Sequence, residues 1–423
     1  MAQGISNGIE AGCRGQMKRT FLFLQGPATP FFARLADRLV ADGHVVHRIH
    51  FCAGDVFYWG SRKSWRFNGD IDGLRDFLDE KYRRYGITDQ VLFGDQRPVH
   101  RPAVERGKAC GVRTHVFEEG YFRPYWVTLE RDGVNGHSLL PRDPAWFRET
   151  SARLGDMPSP VTFSSSFQKR ATHDVVYHVV GLLNPLAFPR YRTHAGVIAP
   201  VEYAGYLRRF ALLRLIRQRE QRRALEIASS GIPYYLLPLQ LNTDAQIRDH
   251  SQFEHMGEVI EYVLESFARH ALAGSKIVIK NHPLDMGLMN FERLIRACER
   301  RFDICGRVEY LEEGNLVALV KKALGVVTVN STVGMIALEH GTPTHTLSDP
   351  IYNLPGLTCQ LPLNEFWRNG RSPNQDAFVH FRRCVMHATQ INGGFYCSTG
   401  MALAVENGTR ILSAEHSPLE SLR

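Results

Sequence analysis

Lys276-Ile277-Val278-Ile279-Lys280-Asn281-His282-Pro283 is the stretch that decides the fold class. A short β-branched run with no helical period reads as a buried parallel strand, and it delivers a basic and polar tip to a proline. Pro283 holds His282 extended. In open α/β sheets ligands gather outside the carboxyl ends of the strands, so Lys280, Asn281 and His282 stand where a phosphate would bind. Outward from this run the pattern repeats. Residues 234–239, 308–311, 326–329 and 343–347 read as strands, and 254–273, 291–302, 315–323 and 332–339 as helices. Alternation at that spacing predicts a parallel sheet with both faces covered.

The preceding half shows the same alternation. Residues 20–24 form a strand that stops at Gln25-Gly26-Pro27-Ala28-Thr29-Pro30, where Thr29 can cap and Pro30 can open a helix running to about residue 42. The turn lacks the G-x-G-x-x-G pattern, so Gly26 either approaches a phosphate or simply joins two elements. Strands follow at 44–51, 90–94 and 112–117, and helices at 73–85 and 98–108. Glu118-Glu119-Gly120 then breaks the last strand. Adjacent side chains on a strand point to opposite sides, but Gly120 permits a positive φ that would re-aim one acid. In a cleft such an acid is a nucleophile or general base; otherwise it belongs to a solvated turn.

Asp132-Gly133 and Asn135-Gly136 suggest a hairpin turn or a bulged excursion, 164–166 a loop, and 174–183 and 202–229 helices. The second of these is long, basic and amphipathic, and either packs on the sheet or lies on anionic lipid. The whole is therefore expected to be α/β: two doubly wound Rossmann-like domains whose parallel sheets face a central cleft. The expected units are a disordered lead over 1–19, an acceptor-side domain over 20–225 and a nucleotide-binding domain over 226–352. A C-terminal helix and tail over 353–423 would pack back on the first domain, weakly ordered after Gly400.

Length supports two domains, and 44% hydrophobic residues supply their cores. The excess of 51 Lys and Arg over 43 Asp and Glu gives +8, which favours an anionic partner without choosing among nucleotide, phosphorylated substrate and membrane surface. Eight scattered cysteines without a C-x-x-C pair suit a reducing compartment. No apolar run reaches the roughly 20 residues of a membrane span. The first 17 residues lack a signal-peptide core. A cytoplasmic placement, peripheral at the inner membrane, is expected.

Ser331 and Thr332 precede a helix, where their hydroxyls either cap it or face an anion. Glu339 at that helix's end either accepts from a ribose hydroxyl or is a surface glutamate. Five segments in order, Phe23-Leu24-Gln25-Gly26-Pro27, Phe117 to Pro124, Leu237-Pro238-Leu239-Gln240, Lys280-Asn281-His282-Pro283 and Asn330-Ser331-Thr332-Val333-Gly334, resemble the bacterial capsule polysaccharide biosynthesis and export family of the KpsS/LipB type. The resemblance implies a GT-B-like fold and a retaining glycosyltransferase that moves β-Kdo from CMP-Kdo to a lysophosphatidylglycerol acceptor, starting a poly-Kdo linker.

By the same resemblance His282 with Pro283, and Ser331 with Thr332, bind the CMP phosphate, together with Lys280, Asn281 and Asn330. Related Kdo transferases carry Glu-Asp-Gly where this chain has Glu118-Glu119-Gly120, which makes Glu119 the nucleophile and leaves Glu118 as a possible sharer. Arg123 would pair with the Kdo carboxylate, and Gln25, Gly26 and Gln240 would line the cleft. No metal or cofactor is expected, since CMP carries no diphosphate to bridge. The implied partners are the CMP-sugar, an anionic glycolipid acceptor, the inner-membrane surface, and the partner Kdo transferase and export machinery; nucleic acid is not among them. Two other readings stand beside this one: a non-catalytic export or assembly factor that binds the anionic lipid-linked glycan, and a nucleotide-sugar epimerase.

Overall fold

The computed structural model describes residues 18–164, 167–191, 199–241, 247, 251–285 and 287–423. The expected lead over 1–17, the loop residues 165–166 and the strand-end residues 242–246 lie outside them. Arg19, assigned to the lead, is buried: its guanidinium lies 3.6 Å from Asp89 and donates to the carbonyls of Leu412 (2.8 Å) and Ala414 (2.5 Å).

The first sheet contains β1 (Thr20–Phe23), β2 (Val45–His50), β3 (Trp65–Arg66), β4 (Asp89–Phe93), β5 (Arg113–Glu119), β6 (Trp126–Arg131) and β12 (Gln390–Asn392), in the order β12-β6-β5-β4-β1-β2-β3. β1 to β5 are parallel, whereas β6 runs antiparallel to both β5 and β12. The second sheet is parallel throughout: β7 (Tyr234–Pro238), β8 (Lys276–Lys280), β9 (Val308–Leu311), β10 (Gly325–Thr328) and β11 (Thr344–Thr346), ordered β11-β10-β7-β8-β9. β8 lies next to the centre with Ile277, Val278 and Ile279 fully buried, as its β-branched composition requires.

Each sheet reverses its strand order once, and such a switch point opens a crevice at the strands' carboxyl ends. In the first sheet it falls between β1 and β4, in the second between β7 and β10. Aromatic packing of Phe31, Phe117 and Phe395 fills the first core, and Tyr235, Phe267 and Trp367 the second. A further apolar cluster draws on both halves, with Tyr121, Leu140 and Phe147 against Met335, Tyr352, Phe378 and Phe381.

Several expectations need correction. Glu118 and Glu119 do not break the strand; they are the last two residues of β5, paired with Thr128 and Val127 of a strand that the sequence reading left unassigned. Gly120 does not adopt positive φ. Its necessity is steric, since a Cβ there would lie 2.1 Å from the Trp126 carbonyl oxygen. The Asp132 to Gly136 stretch follows β6 and does not join a hairpin; the turn joining β5 to β6 is 120–125. Helix Ala199–Ser229 packs on β9 and on helix Leu316–Lys322 of the second half. The region after Gly400 lies within helix Ser398–Ser413, packed on helix Phe31–Ala41.

Candidate active site

The β8 tip is fixed from beneath. Asn281 accepts the His282 N–H (2.8 Å) and donates to Glu312 (2.9 Å) and Asp285 (3.3 Å), so both ends of its amide are engaged inside the protein and it holds the turn. His282 Nδ1 accepts the Leu284 N–H (3.1 Å), which leaves the ring proton on Nε2 as a donor. Burial pushes this imidazole down to about 4, with the charges of Lys280, Arg123 and Arg170 adding to the effect. Lys280 is buried and donates to the Asn281 carbonyl (3.3 Å). Burial lowers its pKa, Glu313 opposes that, and Arg209 adds to it. The tip is therefore a neutral imidazole donor beside three cations, a setting that favours an anionic ligand.

At the switch point between β7 and β10, Gln240 and Asn330 bond reciprocally: Gln240 Nε2 donates to Asn330 Oδ1 (2.8 Å), and the Asn330 N–H donates to Gln240 Oε1 (3.3 Å). Ser331 Oγ accepts the Val333 N–H (3.2 Å), and Tyr352 donates to the Ser331 carbonyl (2.6 Å). The helix that follows, Val333–Glu339, is seven residues long. Glu339 is not brought to the cluster: it is exposed at the far end, about 10 Å along the axis, and accepts from Arg382 (2.7 Å).

In the first half, Glu119 Oε1 accepts from the Tyr396 hydroxyl (3.1 Å) and lies 3.4 Å from Arg170 Nη1. The Arg170 guanidinium also stacks over the Tyr396 ring at 4.7 Å. Burial and then the Glu119 charge raise the pKa of Tyr396, so its hydroxyl stays protonated and donates. Glu118 Oε1 instead accepts the neighbouring Glu119 N–H (3.0 Å). Arg123 is exposed in the 120–125 turn, its Nε donating to the Gly120 carbonyl (3.3 Å). Gln25 does not face Gln240 across a cleft. It is 1% exposed, accepts from Arg97 (3.1 Å), and donates to Tyr177 (3.2 Å) and Tyr191 (3.3 Å). Arg97 also donates to the Gly26 carbonyl (3.1 Å), which closes the first sheet's switch point from within.

The model of a family described as capsule polysaccharide biosynthesis protein matches residues 88–396. The chain belongs to that family. Among its relatives, the capsule polysaccharide modification protein LipB of Neisseria meningitidis serogroup B is 36% identical over 89% of this chain and 91% of its own length. The capsule polysaccharide export protein KpsS of Escherichia coli is 34% identical over 89% of this chain and 97% of its own length. Among solved structures, the β-Kdo 2,7 transferase KpsC of Thermosulfurimonas dismutans aligns over 93% of this chain and 100% of that one, at 13% identity and a TM-score of 0.44.

The match to the capsule polysaccharide biosynthesis family takes in Glu119, Arg170, His282, Ser331 and Tyr396, with Gln25 outside it. In this capsule-family chain Arg170 pairs with Glu119, and its charge adds to the lowering of the His282 pKa. Neither Arg170 nor Tyr396 was found by reading strand ends, because one is on a helix and the other follows β12. The Gly393-Gly394-Phe395-Tyr396 run, small residues leading to aromatics just past a strand, was the available signal. The Asp70-Ile71-Asp72 triplet, a spacing that can hold a metal, sits at the exposed turn Ile71–Gly73, where Asp70 pairs with Arg190 (3.4 Å). Among the described residues no group of three or more His, Cys, Asp and Glu is placed to hold a metal ion.

Proposed function

We propose that this member of the capsule polysaccharide biosynthesis family is a retaining glycosyltransferase that moves β-Kdo from CMP-Kdo to lysophosphatidylglycerol at the inner-membrane surface. The observation that carries the reading is the triad of Glu119, Tyr396 and Arg170, whose charge is among those that hold the His282 pKa down. An ionisable carboxylate, oriented by a hydroxyl and a guanidinium, stands beside a cationic pocket with an imidazole N–H donor. The sugar and nucleotide come from the sequence resemblance, not from the geometry.

Glu119 attacks the anomeric carbon while the bond to the CMP phosphate breaks, its electron pair leaving on the phosphate. His282 Nε2–H, Lys280 and Arg123 or Arg170 receive that charge. The acceptor hydroxyl then displaces the carboxylate and releases its proton to solvent, and two inversions retain the anomeric configuration. Glu119 is favoured over Glu118, whose Oε1 accepts a backbone N–H of its own strand. Asn281, Gln240 and Asn330 act in this scheme by shaping the strand tips, and Ser331 with Thr332 by presenting the start of their helix to the phosphate.

Purified protein incubated with CMP-Kdo generated in situ and synthetic lysophosphatidylglycerol should yield, by mass spectrometry, a product heavier by one Kdo. Glu119→Gln should yield none while its thermal melt stays unchanged. No product and intact nucleotide, under conditions where a known Kdo transferase works, would overturn the reading in favour of a glycolipid-binding role.

A further inference from the structure

Helix Phe167–Gly181 presents its functional groups inward and its apolar groups outward. Inward, Arg170 meets Glu119, His173 Nδ1 lies 3.0 Å from the Tyr58 hydroxyl, and the Tyr177 hydroxyl lies 2.9 Å from Cys52 Sγ. Spacings of three and four residues put these on one side of the helix. Val175 and Val179 occupy the opposite side, and Leu182, Leu183 and Leu186 continue the stripe through the turn that follows. Val179 is 56% exposed, Leu182 64% and Leu186 86%, values that a monomer surface rarely combines in one run. Phe57, on helix Ala53–Trp59 packed against this one, is exposed as well.

The segment is anchored, so the exposure is not a loose end. Asn184 Oδ1 accepts the Ala53 N–H (2.8 Å), and Phe188 is buried beneath the Arg66 guanidinium at 5.8 Å. Lys169, Arg66 and Arg190 lie on or beside the segment, against Asp174, which faces His178 at 3.8 Å, and Asp70, which pairs with Arg190. An apolar stripe with a small excess of basic residues beside it matches an anionic surface of low polarity. No described helix is long and apolar enough to cross a membrane, so the contact is one of lying on the surface.

We propose that the outward face of residues 175–186, with Phe57, is the docking surface for an anionic lipid bilayer, which sets the inward face of the same helix, and Arg170 with it, at the membrane. The inference stands apart from the choice of donor and acceptor, because its test needs neither.

Full-length protein should sediment with phosphatidylglycerol vesicles and more weakly with phosphatidylcholine vesicles. The Leu182→Asp/Leu186→Asp variant, altered only at side chains that are more than half exposed, should lose vesicle affinity by roughly tenfold or more with an unchanged melt. Hydrogen exchange on the unaltered protein supplies a check that needs no variant: amides over 175–190 should gain protection when phosphatidylglycerol vesicles are added. Equal sedimentation of variant and unaltered protein, or no protection there, overturns the proposal. So does a lipid-free dimer that the substitutions dissociate while vesicle binding is absent, which would make the face a self-association surface.

Discussion

The chemistry proposed for Glu119 depends on two neighbours acting differently on one oxygen. Tyr396 meets Glu119 through a single hydroxyl at 3.1 Å, whereas Arg170 pairs with Glu119, stacks on the Tyr396 ring and lends charge to His282. A donor that orients the nucleophile contributes to the step, not to ground-state donor binding. Tyr396→Phe should therefore lower kcat on the order of a hundredfold and leave the KM for CMP-Kdo nearly unchanged. Arg170→Lys removes the guanidinium that pairs with Glu119 and whose charge is felt at His282, and should raise that KM as well as lower kcat. Steady-state kinetics on the two variants decides the point: a rise in KM with unchanged kcat for Tyr396→Phe would remove its positioning role. Glu119 and His282 were legible in the sequence because strand ends with charged tips are few. Tyr396 was not, because its partner lies 277 residues away and the contact exists only once β12 has joined the sheet.

At the scale of elements, the β5–β6 hairpin sets where the two glutamates point. Pairing to Thr128 and Val127 keeps the chain extended through Glu119, so Glu118 and Glu119 project to opposite faces and only one meets Tyr396. Gly120 permits the hairpin because its missing side chain admits the Trp126 carbonyl. Backbone cannot yield as a flexible side chain would, so Gly120→Ala should destabilise by about 2 kcal/mol or more and cost activity beyond the loss of folded protein. Urea unfolding together with specific activity per folded molecule checks both; an unchanged midpoint would contradict the close approach. β8 was legible because its β-branched run is buried on both sides and bounded by a proline. For β6 the alternation Val127-Thr128-Leu129-Glu130 was the available signal, but Thr128 and Glu130 are buried in the fold and do not face solvent as a half-exposed strand would have them. Helix Ser398–Ser413 escaped for a different reason. Its packing uses Gly400, Ala404 and Gly408, small residues that read as a weak helix in isolation yet let it sit close to Phe163, Gly393 and the Phe117 ring.

The whole molecule carries a pH dependence that follows from burying neutral imidazoles in both halves. Burial lowers His50 to about 3 and His115, His282 and His345 to about 4, with Arg48 and Arg66 adding at His50, Lys280, Arg123 and Arg170 at His282, and the Asp89 hydrogen bond opposing at His115. Between those values and the ordinary 6.5 the unfolded chain binds protons that the folded chain refuses, so stability rises with pH across roughly pH 4 to 6.5. Glu130 acts the other way. Burial raises it to about 7, so from about 4.5 to 7 the folded chain holds a proton that the unfolded chain has released, and stability falls with pH. Four imidazoles against Glu130, with Asp132 and Asp174 also raised by burial from a lower starting point, leave a net uptake of protons on unfolding in the shared window, and each proton is worth about 1.4 kcal/mol per pH unit before solvent screening is allowed for. The melting temperature should thus fall steadily as the pH is lowered from 6.5 to 4.5, and differential scanning calorimetry at constant ionic strength reads it directly. His282→Gln should shallow that slope, because it removes one of the refused protons. An anion bound at the β8 tip should also shallow it, because a negative charge beside His282 restores its basicity. A melting temperature that is flat or rises on acidification would mean that the imidazoles are accessible in the folded chain, and the neutral Nε2–H donor assigned to His282 would fall with it.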